Sequence, residues 1–82
     1  MNPLLSQEKS PTHVDESQKD ETGYTYVGFC LPGTRQPSEP KFLVKRIEVA
    51  DGITSILYAE GSLKYNQRWS ERYNLSYSYP QA

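Results

Sequence analysis

The ten aromatic residues of this chain, seven Tyr, two Phe and one Trp, all lie between Tyr24 and Tyr79. A core needs large apolar side chains, so this segregation confines the expected folded body to that part of the chain. From Ser6 to Thr22, Val14 is the sole β-branched aliphatic, and Ser, Gln, Lys, Glu, Asp, Thr and Pro11 make up nearly all the rest. Such a stretch buries too little apolar area to offset the entropy of ordering it. Residues 1–22 are therefore expected to be a flexible polar arm, disordered in isolation, and residues 23–82 a small β domain. On this reading, deleting residues 2–22 leaves the folding of the body unchanged. Leu4 and Leu5, behind Pro3 at the far end of the arm, have two readings: an anchor that docks on a neighbouring subunit, or an inert start.

Within the body, Tyr24-Thr-Tyr-Val-Gly-Phe-Cys-Leu31 is dense in β-formers and predicts a strand ended by Pro32-Gly33. Pro37 and Pro40 make Thr34–Pro40 a loop. Lys41–Ala50 predicts a second strand with imperfect alternation. Phe42 and Val44 are in phase, Ile47 and Val49 are in phase, and the two pairs are out of phase with each other. A β-bulge near Lys45-Arg46 would reconcile them. Asp51-Gly52 is a strong signal for a type I′ hairpin, and Ile53–Ala59 is the return strand closed by Glu60-Gly61. Ser62–Arg72 is less strand-like, with one helical or 3₁₀ turn expected around Gln67–Glu71. Tyr73–Tyr79 alternates strictly, with Tyr73, Leu75, Tyr77 and Tyr79 on one face, and Pro80 stops it. The expected fold is all-β: a small antiparallel sheet or partly open barrel of four or five strands with one short helical turn.

A body this small has thin stability without help from disulfides, metals or other chains. Cys30 is the only cysteine and His13 the only histidine, so neither an intrachain disulfide nor a zinc-type ligand set is expected. Partner chains remain as the source of buried area, and a homo-oligomer or multi-copy assembly follows. The arm carries Glu8, Asp15, Glu16, Asp20 and Glu21 against Lys9 and Lys19, while the body holds seven Lys/Arg against five Asp/Glu. The arm could dock on a basic neighbour, or it could simply be solvated. No apolar run approaches the roughly 20 residues that span a bilayer, and Met1–Leu5 turns polar at Ser6 without a signal-peptide pattern. Synthesis in a cytoplasm, without membrane insertion, is expected.

No catalytic set emerges. His13 lies in the expected arm, Cys30 sits between Phe29 and Leu31 as a small hydrophobe, and the acids Glu39, Glu48, Asp51, Glu60 and Glu71 show no paired spacing. An enzyme is not expected, nor a cofactor or metal. Tyr24, Tyr26, Tyr77 and Tyr79 with Lys45, Arg46, Arg68 and Arg72 could form a stacking platform for single-stranded nucleic acid. The competing reading, favoured by the modest charge of the body, has the tyrosines burying their rings with the hydroxyls at the rim. Trp69 reads as a core plug or an interface hot spot, and Arg72 as its partner in either role. The interface candidates are thus Leu4, Leu5, Tyr24, Tyr26, Trp69, Arg72, Tyr77 and Tyr79.

The order Tyr24-Thr-Tyr-Val-Gly28, Pro32-Gly33, Phe42-Leu-Val-Lys-Arg-Ile47, Thr54-Ser-Ile-Leu-Tyr-Ala-Glu-Gly61, Trp69-Ser-Glu-Arg72 and Leu75-Ser-Tyr77 resembles a family of short bacteriophage proteins found among virion structural genes. These are genes of the neck, tail or baseplate. The resemblance spans residues 24–79. It departs where Glu60 stands for the usual Asp, where Ser70-Glu71 replaces Asp-x, and where Asn74 precedes Leu75 in place of Ser. It implies a non-enzymatic structural component of a phage particle, packed against other virion proteins. Two alternatives stand beside it: a single-stranded nucleic-acid-binding accessory protein and a small host-directed regulator.

Overall fold

A computed structural model describes residues 11–80. Five strands, β1 (His13–Asp15), β2 (Tyr24–Cys30), β3 (Phe42–Ala50), β4 (Ile53–Ala59) and β5 (Tyr77–Ser78), form one open antiparallel sheet. Their order in space is their order in sequence, a five-stranded meander. A single helical turn, α1 (Lys19–Thr22), connects β1 to β2, and a 3₁₀ turn spans Trp69–Glu71. The mostly β architecture, the hairpin and the short helical turn near 67–71 agree with the sequence. Asp51 and Gly52 both have positive φ, 53° and 77°, as a type I′ turn requires.

Two expectations are corrected. The bulge near Lys45-Arg46 is absent: β3 runs in unbroken register against β2 from Phe42 to Glu48 and against β4 from Lys45 to Ala50. Both faces of β3 carry apolar residues, and on the inner face the phase continues from Val44 into Arg46 and Glu48. That charged continuation is tolerated because the two side chains pair, Arg46 Nη2 to Glu48 Oε2 at 2.6 Å. The Arg46 guanidinium also lies between the rings of Tyr24 and Tyr77, at 4.3 and 4.6 Å.

The second correction concerns the arm. Residues 12–22, assigned by composition to a flexible segment, hold the edge strand β1 and the helical turn α1. Val14 stands opposite Val27, and Asp15 opposite Tyr26. What holds them is polar. The Asp15 carboxylate accepts hydrogen bonds from the Ser17 hydroxyl (2.6 Å), the Ser17 backbone N–H (2.9 Å), the Tyr73 hydroxyl and Arg72 Nε (2.9 Å). His13 adds ring contacts to Trp69 and Phe42, at 5.4 and 5.9 Å between centroids. Leu4 and Leu5 lie outside the described residues.

The core lies on the inner face: Tyr26, Phe42, Val44, Ala59 and Trp69, with Tyr24, Cys30, Leu75 and Tyr77 packed against it. Its centre is the approach of Trp69 to Gly28. A Cβ on Gly28 would stand 2.5 Å from Trp69 Cε3, so this strand position admits no side chain. The predicted strand 73–79 shortens to Tyr77–Ser78 because the chain is still turning at Asn74, whose N–H bonds to the Glu71 carbonyl at 2.8 Å.

Gly28→Ala is expected to lower stability by about 1–3 kcal/mol, the usual cost of overpacking a closed core, read as a lower urea midpoint with an unchanged slope. Deleting residues 2–22, neutral if that segment were only an arm, is expected to cost at least the roughly 1.5–3 kcal/mol of a hydrogen bond to a charged group. An unchanged midpoint in the same urea titration would show that β1 contributes nothing.

Candidate interaction surface

The side chains of the sheet divide cleanly between two faces. Strand register puts His13, Asp15, Tyr24, Tyr26, Gly28, Cys30, Phe42, Val44, Arg46, Leu57, Ala59 and Tyr77 on the inner face. The segment from Trp69 to Tyr77 folds back over the centre of that face, while Ile53, at its hairpin end, stays 66 % exposed. The outer face carries Val14, Val27, Phe29, Leu43, Ile47, Val49, Ile56 and Tyr58 in adjoining rows; one row, Val14–Val27–Lys45–Tyr58–Ser78, crosses all five strands. This face is open. Val14 and Val49 are each 52 % exposed and Ile56 is 47 % exposed. Lys45 lies across it, its ammonium 5.0 Å from the Phe29 ring centroid and 5.2 Å from that of Tyr58. None of the strand residues on this face is acidic, so the Lys45 charge is met there only by aromatic rings.

The structure brings five of the eight interface candidates together, but inside the chain. Tyr26 and Trp69 are buried, and Tyr26 meets Tyr73 and Tyr77 edge to face at 5.2 and 5.8 Å. Tyr24 and Tyr77 flank Arg46. The Arg72 guanidinium lies 4.5 Å from the Trp69 ring centroid and 4.6 Å from that of Tyr73, donates to the Trp69 carbonyl at 3.1 Å, and pairs with Asp15. Tyr26 and Trp69 are core, and Tyr24, Arg72 and Tyr77 are half-buried around them. Tyr79, 70 % exposed, is the one described candidate that stands at the surface. The stacking platform is likewise divided: Arg46 and three of its tyrosines face inward, while Lys45 faces out.

These contacts perturb two groups. Hydrogen bonds from Ser17 and Tyr73, aided by Arg72, hold the Asp15 carboxyl well below the usual carboxylate range, against a smaller opposing effect of burial. Burial pushes the Tyr77 hydroxyl up; it stays protonated and donates to the Arg72 carbonyl at 2.7 Å. No group of three or more His, Cys, Asp or Glu placed to hold a metal occurs among the described residues. Cys30 is a free thiol, half-buried, with its sulfur 3.2 Å from Thr12 Oγ1. An open cleft of about 210 Å³ is lined by Asn66, Gln67, Arg68, Glu71, Asn74 and Leu75. No helix among the described residues is long and apolar enough to cross a membrane.

The outer face was partly visible in the sequence. The out-of-phase pairs of β3 are the signature of a strand apolar on both sides, and reading them as a bulge hid the second face. Compared with protein-family models, with curated proteins and with solved structures, the chain matches none.

Because Asp15 is more acidic in the fold than its ordinary 3.8, its stabilisation is complete above that value and is lost as pH falls below it. The unfolding midpoint of the parent protein is therefore expected to drop on acidification below about pH 4. Asp15→Asn is expected to be less stable at neutral pH and flatter through the acid range. Parallel pH profiles of the two proteins would show that Asp15 is not the responsible group.

Proposed function

We propose that the protein is a non-enzymatic structural component that acts by packing against other chains in a multi-copy assembly. The observation that carries this reading is the apolar outer face, on which Val14, Val49 and Ile56 stay about half exposed around the buried Val27, while the centre of the inner face is covered by the chain itself. Single exposed apolar residues are ordinary, whereas several on one face of a sheet fit a surface that meets another molecule. A sheet of this size also gains from a second layer, since a one-layer sheet leaves half of its side chains without packing partners.

The assembly we propose is a bacteriophage particle, with the chain in its neck, tail or another capsid-associated position. This rests on the ordered resemblance across residues 24–79. The outer face is compatible with it and does not depend on it.

The test is quantitative mass spectrometry of gradient-purified particles from the phage that carries the gene. A fixed ratio of this chain to the major capsid protein supports the virion reading. A chain abundant in infected cells and missing from particles overturns it and leaves a partner in the host or at nucleic acid. Val14→Asp and Val49→Asp test the face itself. Both positions are more than half exposed, so folding stability is expected to stay within about 0.5 kcal/mol of the parent, while incorporation falls. Undiminished incorporation of both variants would exclude the outer face as the contact.

A further inference from the structure

The two edges of the sheet are treated differently. β1, at one edge, is three residues long, preceded by Pro11 and followed by Glu16, with Asp15 as its last residue. Shortness, proline and charge are the devices that keep an edge from pairing with another chain. β4, near the other edge, has none of them. β5 covers it only at Tyr58 and Ala59. Beyond Ser78 the chain bends at Tyr79, and Pro80 brings no N–H to continue the ladder. From Ile53 to Leu57 no strand among the described residues pairs with that side of β4.

The backbone groups on that side can be identified. The two-residue turn makes Ala50 and Ile53 the closing pair of the hairpin. Ile53, Ser55 and Leu57 therefore direct their N–H and C=O groups at β3. Glu60 directs its N–H the other way, to the Ser76 carbonyl at 2.6 Å, and by alternation Tyr58, Ile56 and Thr54 point to that same side. Thr54 and Ile56 thus present two donors and two acceptors along an edge of five uncharged residues, Ile-Thr-Ser-Ile-Leu. Ile53 is 66 % exposed, and Thr54 and Ile56 are exposed as well.

The geometry points to a second copy of this chain as the occupant: β4 pairs antiparallel with β4 of the second copy about a two-fold axis through Ser55. In that register Thr54 stands opposite the second copy's Ile56 and exchanges both backbone hydrogen bonds with it, and the two-fold repeats the exchange. Ile53 meets the second copy's Leu57. Tyr58, where β5 begins, falls opposite the second copy's Gly52, where its hairpin turns away. The open stretch therefore runs from turn to β5 in each copy and is centred on the axis. A one-residue shift would either leave an outward residue facing a turn or drive the strand into β5.

Charge selects this contact over stacking of the two outer faces. Stacked sheets lie about 10 Å apart with their side chains between them, which would bring two Lys45 ammonium groups into one apolar layer with no acidic strand residue to meet them. Edge pairing puts three inter-strand spacings between the two Lys45 strands, about 14 Å, beyond a Debye length of about 10 Å at 0.1 M salt. It also leaves the outer face free for a different chain. The inference deepens the packing reading and rests on it only in treating the chain as one part of an assembly.

The test is sedimentation velocity on the full chain over a concentration series, with amide hydrogen exchange at both ends of the series. A five-residue edge contact is small, so association is expected toward millimolar concentration. There the amides of Thr54 and Ile56 should slow by about tenfold or more relative to the dilute protein. Ile56→Lys places a charge on the edge and should abolish both effects. Thr54→Pro removes an N–H that points away from β3 and should do the same while leaving the hairpin intact. A protein that stays monomeric throughout, or a dimer that persists in Ile56→Lys with these two amides unprotected, overturns the inference. Loss of the dimer contact leaves the outer-face reading standing as long as Val14→Asp and Val49→Asp still reduce incorporation.

Discussion

The packing of Trp69 on Gly28 is the contact through which the rest of the molecule is organised. A meander of five strands has no inherent way to cover one of its faces, and here the segment from Trp69 to Tyr77 does it with the indole at its centre. Gly28, on a central strand, gives up its side chain so that the ring can approach the backbone. Phe42 stacks on the same indole at 6.4 Å and His13 at 5.4 Å, so residues from β1, β2 and β3 converge on it. Arg72, three residues on, lies over the ring and carries the contact outward to Asp15. The first and last parts of the described chain are joined through one aromatic and one ion pair. A small domain with no cross-links has few other ways to tie its ends together.

This explains which parts of the fold were legible in the sequence. The hairpin at Asp51-Gly52, the strand runs on either side of it and the opening strand at Tyr24 are local patterns, and local patterns can be read directly. The role of residues 12–17 is not local. Composition marks them as poor in apolar area, and they are held by hydrogen bonds together with the His13 ring on Trp69 and Phe42. The Asp15 carboxylate is satisfied by a guanidinium and a phenol 57 and 58 positions away, and nothing near Asp15 in the chain signals either. A polar segment can be ordered by one well-satisfied carboxylate when its donors are already fixed by a core.

The aromatic residues were legible as a group and not as individuals. Tyr24, Tyr26, Trp69 and Tyr77, proposed for an interface on residue type, are the inner layer, and Arg46 lies among them as a cation between two rings. The surface that is open is made of Val, Ile and Leu at positions that looked like a phase error in β3. A strand with apolar residues on both faces belongs to a sheet meant to be covered on both. The chain supplies one cover. The apolar outer phase of β3 is what the proposed packing role would use.

The same asymmetry appears at the edges, and the two observations reinforce each other. A sequence selected to remain alone would gain from a charge or a proline in Ile53–Leu57, as Pro11, Asp15 and Glu16 already supply around β1. One guarded edge, one open edge and one open face together limit the directions in which the chain can be built into something larger. Edge pairing extends the sheet within its own plane, whereas the outer face receives a layer from above, so the two contacts do not compete for space. Lys45 marks the difference between them, as the cation lying among the rings of Phe29 and Tyr58 on the outer face.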